Sequence, residues 1–265
     1  LIVAKGLWYF IKQLKRGKLM FKSFFILALS LLLSLPLAAA DLEGRVLNIG
    51  SDTTYPPHEF INDAGEVVGF DVDVVSEICK KINCKPNWVT TAWDGIFAAL
   101  ANKQFDMVVS GVTITDERDK IVDFSDPYII VQQGILMRVE TKGSKIDDYK
   151  SGSLRLASQK GTTNAELGEK LVGRDNLKLF DDFPPAVLAL QNGDVDGVII
   201  DSTSAAAYEQ EFAGELTVGI TGLSSDPLGL VFQEGDSLQD AFNVGLAAIK
   251  NDGTLDKLIV KWWPK

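Results

Sequence analysis

The amino-acid sequence predicts an α/β protein with two lobes that are joined by two extended segments and separated by a cleft. Short apolar strands alternate with amphipathic helices along the chain, a pattern typical of parallel β-α-β units. Residues 89–111 and 177–201 repeat one order of elements: strand, helix, polar turn and buried strand. Residues 126–139 and 226–236 read as extended segments, and two such crossings between lobes form a hinge around a cleft.

The first lobe is predicted from the alternation at the start of the folded chain. Its elements are a strand at 46–52, a strand leading into a helix at 67–83, a strand at 86–91, a helix at 93–104 and a buried strand at 105–112. Apolar residues recur at helical spacing in both helices, which predicts that each helix buries one face. These residues are Phe70, Val74, Val75, Ile78 and Ile82 in the first helix, and Ile96, Phe97 and Leu100 in the second.

The second lobe is predicted to be inserted between the two extended segments. Its elements are a strand, a glycine-containing loop and a helix at 153–173, a strand at 177–182, and a helix, a turn and a strand at 184–201. Two further helices, within 237–265, are expected to return to the first lobe. The predicted limits are 41–130 plus 231–265 for the first lobe and 131–230 for the second.

Composition and charge argue against several classes of function. The chain has 265 residues, enough for two modest cores, and carries a formal net charge of −10 with a pI of about 4.7. A nucleic-acid groove or a patch for anionic membranes needs an excess of Lys and Arg instead. A metal site is not expected, because the chain has one histidine, His58, and one pair of cysteines. No cofactor is expected either.

Residues 1–40 are predicted to be a signal peptide with an upstream extension. After Met20, a short basic region precedes an apolar run at 24–35, and small residues lead up to Asp41. This order is typical of a secretory signal that is cleaved before Asp41, and the apolar run is short for a membrane anchor. Residues 1–19 read as sequence upstream of the true start, or as an extended basic region. The mature chain is expected to be exported.

Cys79 and Cys84 are the only cysteines, and their spacing permits a disulfide. Cys79 is expected in the last turn of a helix and Cys84 just past its end, which would bring the two Cα atoms within bridging range. An exported protein can keep such a bond oxidised. The sequence therefore favours a disulfide over two free thiols.

Several motifs together resemble one known family. They are SDTTYPPHEF, GFDVDV, WDGIFAAL, SGVTITDERDKIVDFSDPY, QKGTTNAELG, GDVDGVIID and DGTLDKLIVKWW. In this order, over residues 45–265, they resemble the extracytoplasmic solute-binding proteins that feed polar amino acids to ABC importers. The resemblance implies a type II periplasmic-binding-protein fold, a two-stranded hinge and a ligand cleft between the lobes. It also implies a periplasmic, monomeric, non-catalytic protein whose partner is an ABC permease and ATPase complex.

The resemblance assigns the ligand's main-chain groups to residues 110–118. Thr115 is placed to cap a helix, with Arg118 about one turn further on. In the family, the arginine of this motif holds the ligand carboxylate, and this role is carried to Arg118. A solvated ion pair is the alternative for any single arginine. Ser110, Gly111 and Thr113 form the adjoining turn, where hydroxyl and backbone groups would meet the ligand or simply stabilise the turn.

The second lobe is expected to complete this clamp. Gly161, Thr162, Thr163 and Asn164 open a helix whose free N–H groups form an anion site. Asp201 ends the buried strand GVIID, where the resemblance places an aspartate that binds the ligand ammonium. An N-cap for the following helix is the alternative for Asp201.

Four residues are expected to contact the ligand side chain: Asp52, Tyr55, Trp93 and Gln159. In the resemblance, Tyr55 and Trp93 form aromatic walls, and Asp52 meets the far end of the side chain. An Asx-turn is the alternative for Asp52. The contacts in the resemblance favour a basic ligand: arginine, lysine, ornithine or histidine. Glutamine-binding relatives have a Lys and a His in the second lobe where this chain has Gln159 and Ile200, which disfavours glutamine without excluding it. Dicarboxylic ligands would be repelled by Asp52.

Two other functions remain open at this point. The first is an enzyme resembling cyclohexadienyl dehydratase, which needs a general acid in the cleft. That subfamily has a Glu a few residues after the strand-end aspartate, whereas here no acid follows Asp201 until Glu209. The second is a sensor that presents its ligand to a receptor.

Overall fold

Two five-stranded sheets, each packed against helices, organise residues 40–263, the part of the chain that this computed structural model describes. The predicted signal peptide lies outside this part except for its last residue. Within residues 40–263, no helix is both long and apolar enough to cross a membrane.

Strands and helices alternate as the sequence predicts. The strands are β1 (Arg45–Ser51), β2 (Thr54–Tyr55), β3 (Glu59–Ile61), β4 (Val67–Val68), β5 (Cys84–Thr90), β6 (Met107–Val108), β7 (Asp123–Phe124), β8 (Ile129–Val131), β9 (Gln133–Arg138), β10 (Leu156–Gln159), β11 (Leu177–Phe180), β12 (Gly197–Asp201), β13 (Leu216–Ile220), β14 (Asp226–Leu228) and β15 (Val231–Phe232). The helices are α1 (Phe70–Ile82), α2 (Ile96–Ala101), α3 (Ile146–Lys150), α4 (Thr163–Val172), α5 (Phe183–Gln191), α6 (Ser202–Glu211), α7 (Leu238–Asn251) and α8 (Thr254–Trp262). Short 3-10 turns lie at Arg118–Lys120, Val139–Thr141 and Arg174–Asn176.

The two sheets repeat one pattern of pairing. The first has the order β5-β1-β6-β15-β7 and the second the order β11-β10-β12-β9-β13. In each sheet the first two pairings are parallel and the last two are antiparallel. This confirms the prediction of two similar α/β units.

Two strands connect the sheets. The chain leaves the first sheet through β8 and returns from the second through β14. These two strands pair antiparallel, with Val131 opposite Asp226 and Ile129 opposite Leu228. The two-lobed fold with a two-stranded hinge is therefore as predicted, while the lobe limits at 130/131 and 230/231 remain a prediction.

Helix α1 shows how the sequence pattern becomes the core of the first lobe. Its five apolar residues at helical spacing are all buried, and each fully buried aliphatic or aromatic side chain contributes roughly 1.5–3 kcal/mol. The helix ends at Asn83, which adopts a left-handed conformation. Just beyond this end, Cys84 forms a disulfide with Cys79, with the Cα atoms 4.6 Å apart. The predicted disulfide is confirmed.

The chain around Arg118 departs from the prediction. The helix expected after Thr115 is a single 3-10 turn, although Thr115 Oγ1 does accept a hydrogen bond from the Arg118 N–H at 3.2 Å. The helix stops early because Val122 and Phe124 pack into the core beside α2, which draws the chain into β7. Helix α2 and strand β6 are likewise shorter than predicted.

Candidate ligand-binding site

A cavity lined by both lobes gathers most of the residues that the sequence singled out. It encloses about 340 Å³ of space free of protein atoms, part of it open to solvent. All the predicted site residues line it except Gly161. Gly161 nevertheless lies close to the cavity residue Trp93, because a Cβ added at Gly161 would be 3.5 Å from Trp93 Nε1. The lining residues are Asp52, Tyr55, Trp93, Ser110, Gly111, Thr113, Arg118, Gln159, Thr162, Thr163, Asn164, Phe183 and Asp201.

Arg118 is largely buried against two aromatic rings. Its Cζ lies 5.2 Å from the centre of the Trp93 ring and 5.4 Å from that of Phe97. Nη1 donates to the Thr113 carbonyl at 2.9 Å, and within residues 40–263 no carboxylate lies within ion-pairing distance of the guanidinium. Burial lowers the pKa of Arg118, an effect that more distant acidic groups partly offset. A positive charge held in this way would gain from a bound anion.

The charged neighbours of Arg118 have a different environment. Asp116, Glu117, Asp119 and Lys120 are exposed, and Lys120 pairs with Glu117 at 2.7 Å. Asp119 and Lys120 therefore face water. The solvated ion pair that was the alternative for Arg118 belongs to Lys120 instead.

The turn at 110–113 already has protein partners. Ser110 Oγ accepts from the Asp52 N–H at 3.0 Å and donates to Glu59 Oε1 at 2.8 Å. The Gly111 N–H donates to Asp71 Oδ2 at 2.9 Å. Gly111 has φ +53°, and an added Cβ would lie 3.1 Å from Tyr55. These groups therefore shape the wall of the cavity, and glycine is required where it approaches Tyr55.

The N-terminus of α4 faces this turn from the second lobe. Thr162 caps the helix, since its Oγ1 accepts from the Ala165 N–H at 3.1 Å. Thr163 Oγ1 lies 3.2 Å from Thr113 Oγ1, so the two lobes are in hydrogen-bond contact here. The arrangement brings a helix N-terminus and Arg118 to one cavity, a combination suited to an anion.

Asp201 is a buried carboxylate at the end of β12. It occupies the N-cap position of α6, but its side chain makes no cap bond there. Instead, Oδ1 accepts from Asn164 Nδ2 at 3.0 Å. Burial raises the pKa of Asp201. Asp201 is thus the N-cap residue by position, as the alternative had it, but its side chain does not cap the helix.

Tyr55 and Phe183 form an aromatic contact between the lobes. Tyr55 stacks on Phe183, with ring centres 5.1 Å apart, and on His58, with ring centres 5.5 Å apart. The Tyr55 hydroxyl is buried close to the side chains of Ser204 and Asp201. Burial, followed by the nearby Asp201, raises its pKa well above the usual value.

The sequence did not assign Phe183 to the site, and it gave the Asn164 side chain no role there. Phe183 opens α5 in the segment FPPAVLAL, where nothing distinguishes a cavity aromatic from a core one. Asn164 lies in the first turn of α4. Its role could have been predicted, because a side-chain amide in the first turn of a helix can donate a hydrogen bond to the end of a neighbouring strand.

One end of the cavity is acidic. Gln159 Nε2 donates to Asp52 Oδ2 at 2.7 Å and to the Asp181 carbonyl at 2.9 Å. Thr54 Oγ1 donates to Asp52 Oδ1 at 2.7 Å. The pKa of Asp182 is raised by burial and by the negative charges of Asp52 and Asp181.

A two-lobed α/β fold, with a charged and aromatic cleft between lobes that a two-stranded hinge connects, defines a periplasmic-type solute-binding protein. The chain belongs to the bacterial extracellular solute-binding proteins, family 3, whose model matches residues 47–265.

Curated relatives cover most of the chain. A probable histidine-binding protein of Neisseria gonorrhoeae is 33% identical over 86% of this chain and 87% of its own length. The L-cystine-binding protein TcyJ of Escherichia coli (strain K12) is 31% identical over 83% of this chain and 84% of its own length.

Solved structures share the fold over a similar range. The arginine-, lysine-, histidine-binding protein ArtJ of Geobacillus stearothermophilus is 32% identical, with a TM-score of 0.76 over 84% of this chain and 96% of that one. An ancestral amino acid-binding protein, described as a precursor of cyclohexadienyl dehydratase, is 35% identical, with a TM-score of 0.73 over 82% of this chain and 94% of that one.

Proposed function

We propose that this protein binds an L-amino acid with a cationic side chain between its lobes and delivers it to an ABC transporter. The observation that carries the proposal is the opposition of Arg118, which lacks a carboxylate partner among the described residues, to Asp201 across one cavity. An amino acid in its zwitterionic form carries a carboxylate that can bind Arg118 and an ammonium that can bind Asp201. The named relatives that bind histidine, or arginine, lysine and histidine, support this class of ligand.

The α-carboxylate binds at the first-lobe end of the cavity. Arg118 supplies the guanidinium, which Trp93 and Phe97 hold in place. The N-terminus of α4, with the hydroxyls of Thr113 and Thr163, supplies neutral donors. Backbone and guanidinium donors together match the two oxygens of a carboxylate.

The α-ammonium binds Asp201. This carboxylate keeps one oxygen on Asn164, which fixes its orientation, and it lines the cavity from the second lobe. Burial penalises its ionised form, so an arriving ammonium regains part of that cost. The two charges of the ligand's main chain thus contact different lobes.

The ligand side chain lies between Tyr55 and Trp93 and points towards the acidic end of the cavity. Tyr55, Trp93 and Phe183 line the cavity, and Asp52 with Gln159 closes one end of it. A cationic side chain would replace the Gln159 amide as the partner of Asp52. Asp181 and Asp182 add negative potential there. A dicarboxylic ligand would meet repulsion at this end.

Binding is coupled to closure of the lobes, with 41–130 plus 231–265 as the first lobe and 131–230 as the second. Two hydrogen bonds support the pairing of these regions in the closed form: Gln159 to Asp52 and Thr163 to Thr113. A ligand that contacts both lobes stabilises the closed form, which a transporter can then recognise. We further propose that the mature chain starts near Asp41, acts as a periplasmic monomer and needs no cofactor.

Other ligands and roles remain candidates. Cystine is one, because a relative named for L-cystine lies at similar identity, and glutamine is another. A dehydratase-like activity would need a general acid after Asp201, but Glu209 accepts hydrogen bonds from the Thr217 hydroxyl at 2.7 Å and from the Val218 N–H at 3.2 Å, and it does not line the cavity. A sensor that presents its ligand to a receptor would use the same cleft.

Isothermal titration calorimetry on the mature chain, after unfolding and refolding to strip ligand, tests the proposal. The panel is L-arginine, L-lysine, L-ornithine, L-histidine, L-cystine, L-glutamine and L-glutamate, with D-arginine as the stereochemical control. We expect micromolar or tighter binding of at least one basic L-amino acid, about 8 kcal/mol or more. Binding of cystine or glutamine alone would replace the ligand assignment, and no binding by any of them would refute the function. Turnover of prephenate or arogenate would establish the enzyme instead.

A further inference from the structure

A hydrogen bond outside the ligand cavity joins the two lobes. His58 Nε2 lies 2.9 Å from Thr203 Oγ1. His58 lies between β2 and β3, and Thr203 is in the first turn of α6, two residues after Asp201. Neither residue lines the cavity.

The first lobe fixes the His58 ring on several sides. The side chain is completely buried, and Nδ1 lies 3.3 Å from Asp71 Oδ1. The ring stacks on Tyr55 and packs against Phe70 and Trp263. The imidazole is therefore oriented before any contact with the second lobe, and Nε2 is the atom that reaches across.

Asp71 is itself held by the residues of the ligand cleft and the hinge. Its Oδ2 accepts from the Gly111 N–H at 2.9 Å and from the Tyr128 hydroxyl at 2.7 Å. Gly111 lines the cavity, and Tyr128 directly precedes β8. The position of His58 is thus tied through Asp71 to the cavity wall and to the start of the hinge.

We propose that His58 is a positioning residue for lobe closure, whose Nε2 binds the Thr203 hydroxyl and holds the start of α6 against the first lobe. This inference rests on the proposed function, because it concerns the closed form that binds ligand. The bond lies outside the cavity in which the ligand would bind. It places Asp201, at the end of β12 and directly before α6, where the ligand ammonium binds.

Removal of the hydroxyl tests this inference. Thr203→Val preserves the shape of the side chain but leaves a buried imidazole nitrogen without its partner, so the closed form loses stability. We expect about fivefold weaker binding of the best ligand in the calorimetric panel, mainly through faster dissociation. Thr203→Ser restores the hydroxyl and should bind within about twofold of the wild type, a rescue that a general packing role would not predict.

Two further variants complete the design. Thr90→Val removes a hydroxyl that lies 3.1 Å from Thr53 Oγ1 within the first lobe, and it should leave binding unchanged. His58→Gln places an amide near the position of Nε2 and should bind more tightly than His58→Phe. A double-mutant cycle between His58→Phe and Thr203→Val isolates the pair, and we expect the two losses to be non-additive.

The outcomes separate this inference from the proposed function. If the wild type binds an amino acid and Thr203→Val binds it equally well, His58 does not position the lobes, although the function stands. If the wild type binds none of the panel, the function fails, and small-angle scattering of the ligand-free proteins still decides the inference. A larger radius of gyration for Thr203→Val than for Thr203→Ser then supports it, and equal radii contradict it.

Discussion

Gln159 and Asp52 meet across the cleft, where the Gln159 amide donates to the Asp52 carboxylate at 2.7 Å. Asp52 directly follows β1 of the first sheet, and Gln159 is the last residue of β10 in the second. A neutral donor therefore sits on a carboxylate at the point where the proposed ligand would bring a cation. In the proposed mode of binding, competition between these two donors for Asp52 would select the ligand side chain.

Asp52→Asn should weaken basic ligands selectively. The variant removes the negative charge and keeps the shape, so we expect about 10- to 100-fold weaker binding of arginine or lysine and little change for glutamine. Calorimetry with the same panel measures this difference. Asp63→Asn, at an exposed aspartate outside the cavity, is the matched control. An equal loss for glutamine and arginine would mean that Asp52 does not read the side chain.

Arg118→Ala should abolish binding of every amino acid ligand. The variant removes the proposed partner of the α-carboxylate, which all candidate ligands share. Arg118→Lys keeps the charge without the planar fork and should bind measurably but weakly. The neighbouring exposed Lys120 supplies the control, since Lys120→Ala should bind as the wild type does. A change only in the preference among side chains would disprove the carboxylate role.

Ligand affinity should fall at acid pH because of Asp201. The ammonium needs the ionised carboxylate, and burial raises the pKa of Asp201. Protonation therefore begins above the titration range of an ordinary aspartate, which centres near about 3.9. Affinity should decline as the pH falls through the raised pKa of Asp201. Titrations at several pH values test this, and the pH dependence should disappear in any residual binding by Asp201→Asn.

Glu59→Gln should change how stability depends on pH. Burial, and then the negative charge of Asp71, raise the pKa of Glu59 well above its usual value, so the folded protein holds a proton that the unfolded chain releases. Stability is therefore greatest below the unfolded pKa and declines as the pH rises towards the folded one. Glutamine mimics the protonated acid and can still accept from Ser110. The melting temperature of Glu59→Gln should therefore increasingly exceed that of the wild type as the pH rises from pH 5 towards the folded-state pKa of Glu59.

The difference in melting temperature between Glu59→Gln and the wild type isolates the contribution of Glu59 from those of other titrating groups. Glu66→Gln, at an exposed glutamate, should show no pH-dependent difference from the wild type. If the Glu59→Gln and wild-type curves stayed parallel over this range, Glu59 would not be protonated in the folded protein.

Periodicity alone was enough to predict the alternation of strands and helices and the buried face of α1. The lengths of α2 and of the turn at Arg118 could not be predicted this way, because they depend on where Val122 and Phe124 enter the core. The resemblance to the family was enough to assign residues distant in sequence to one cavity. It did not predict contacts such as Tyr55 with Phe183 or His58 with Thr203, which join segments more than a hundred residues apart. No local pattern encodes such pairs, which arise only when the two lobes meet.

The out-and-back route of the chain also sets the order in which the protein can assemble. In the first sheet, β15 lies between β6 and β7, although it is made more than a hundred residues after either. The first sheet therefore stays open in its middle until the second lobe has been synthesised and the chain has returned. Such a high contact order slows folding. If the chain is exported as proposed, its N-terminal half would stay incomplete, and so available for translocation, until nearly the whole polypeptide exists.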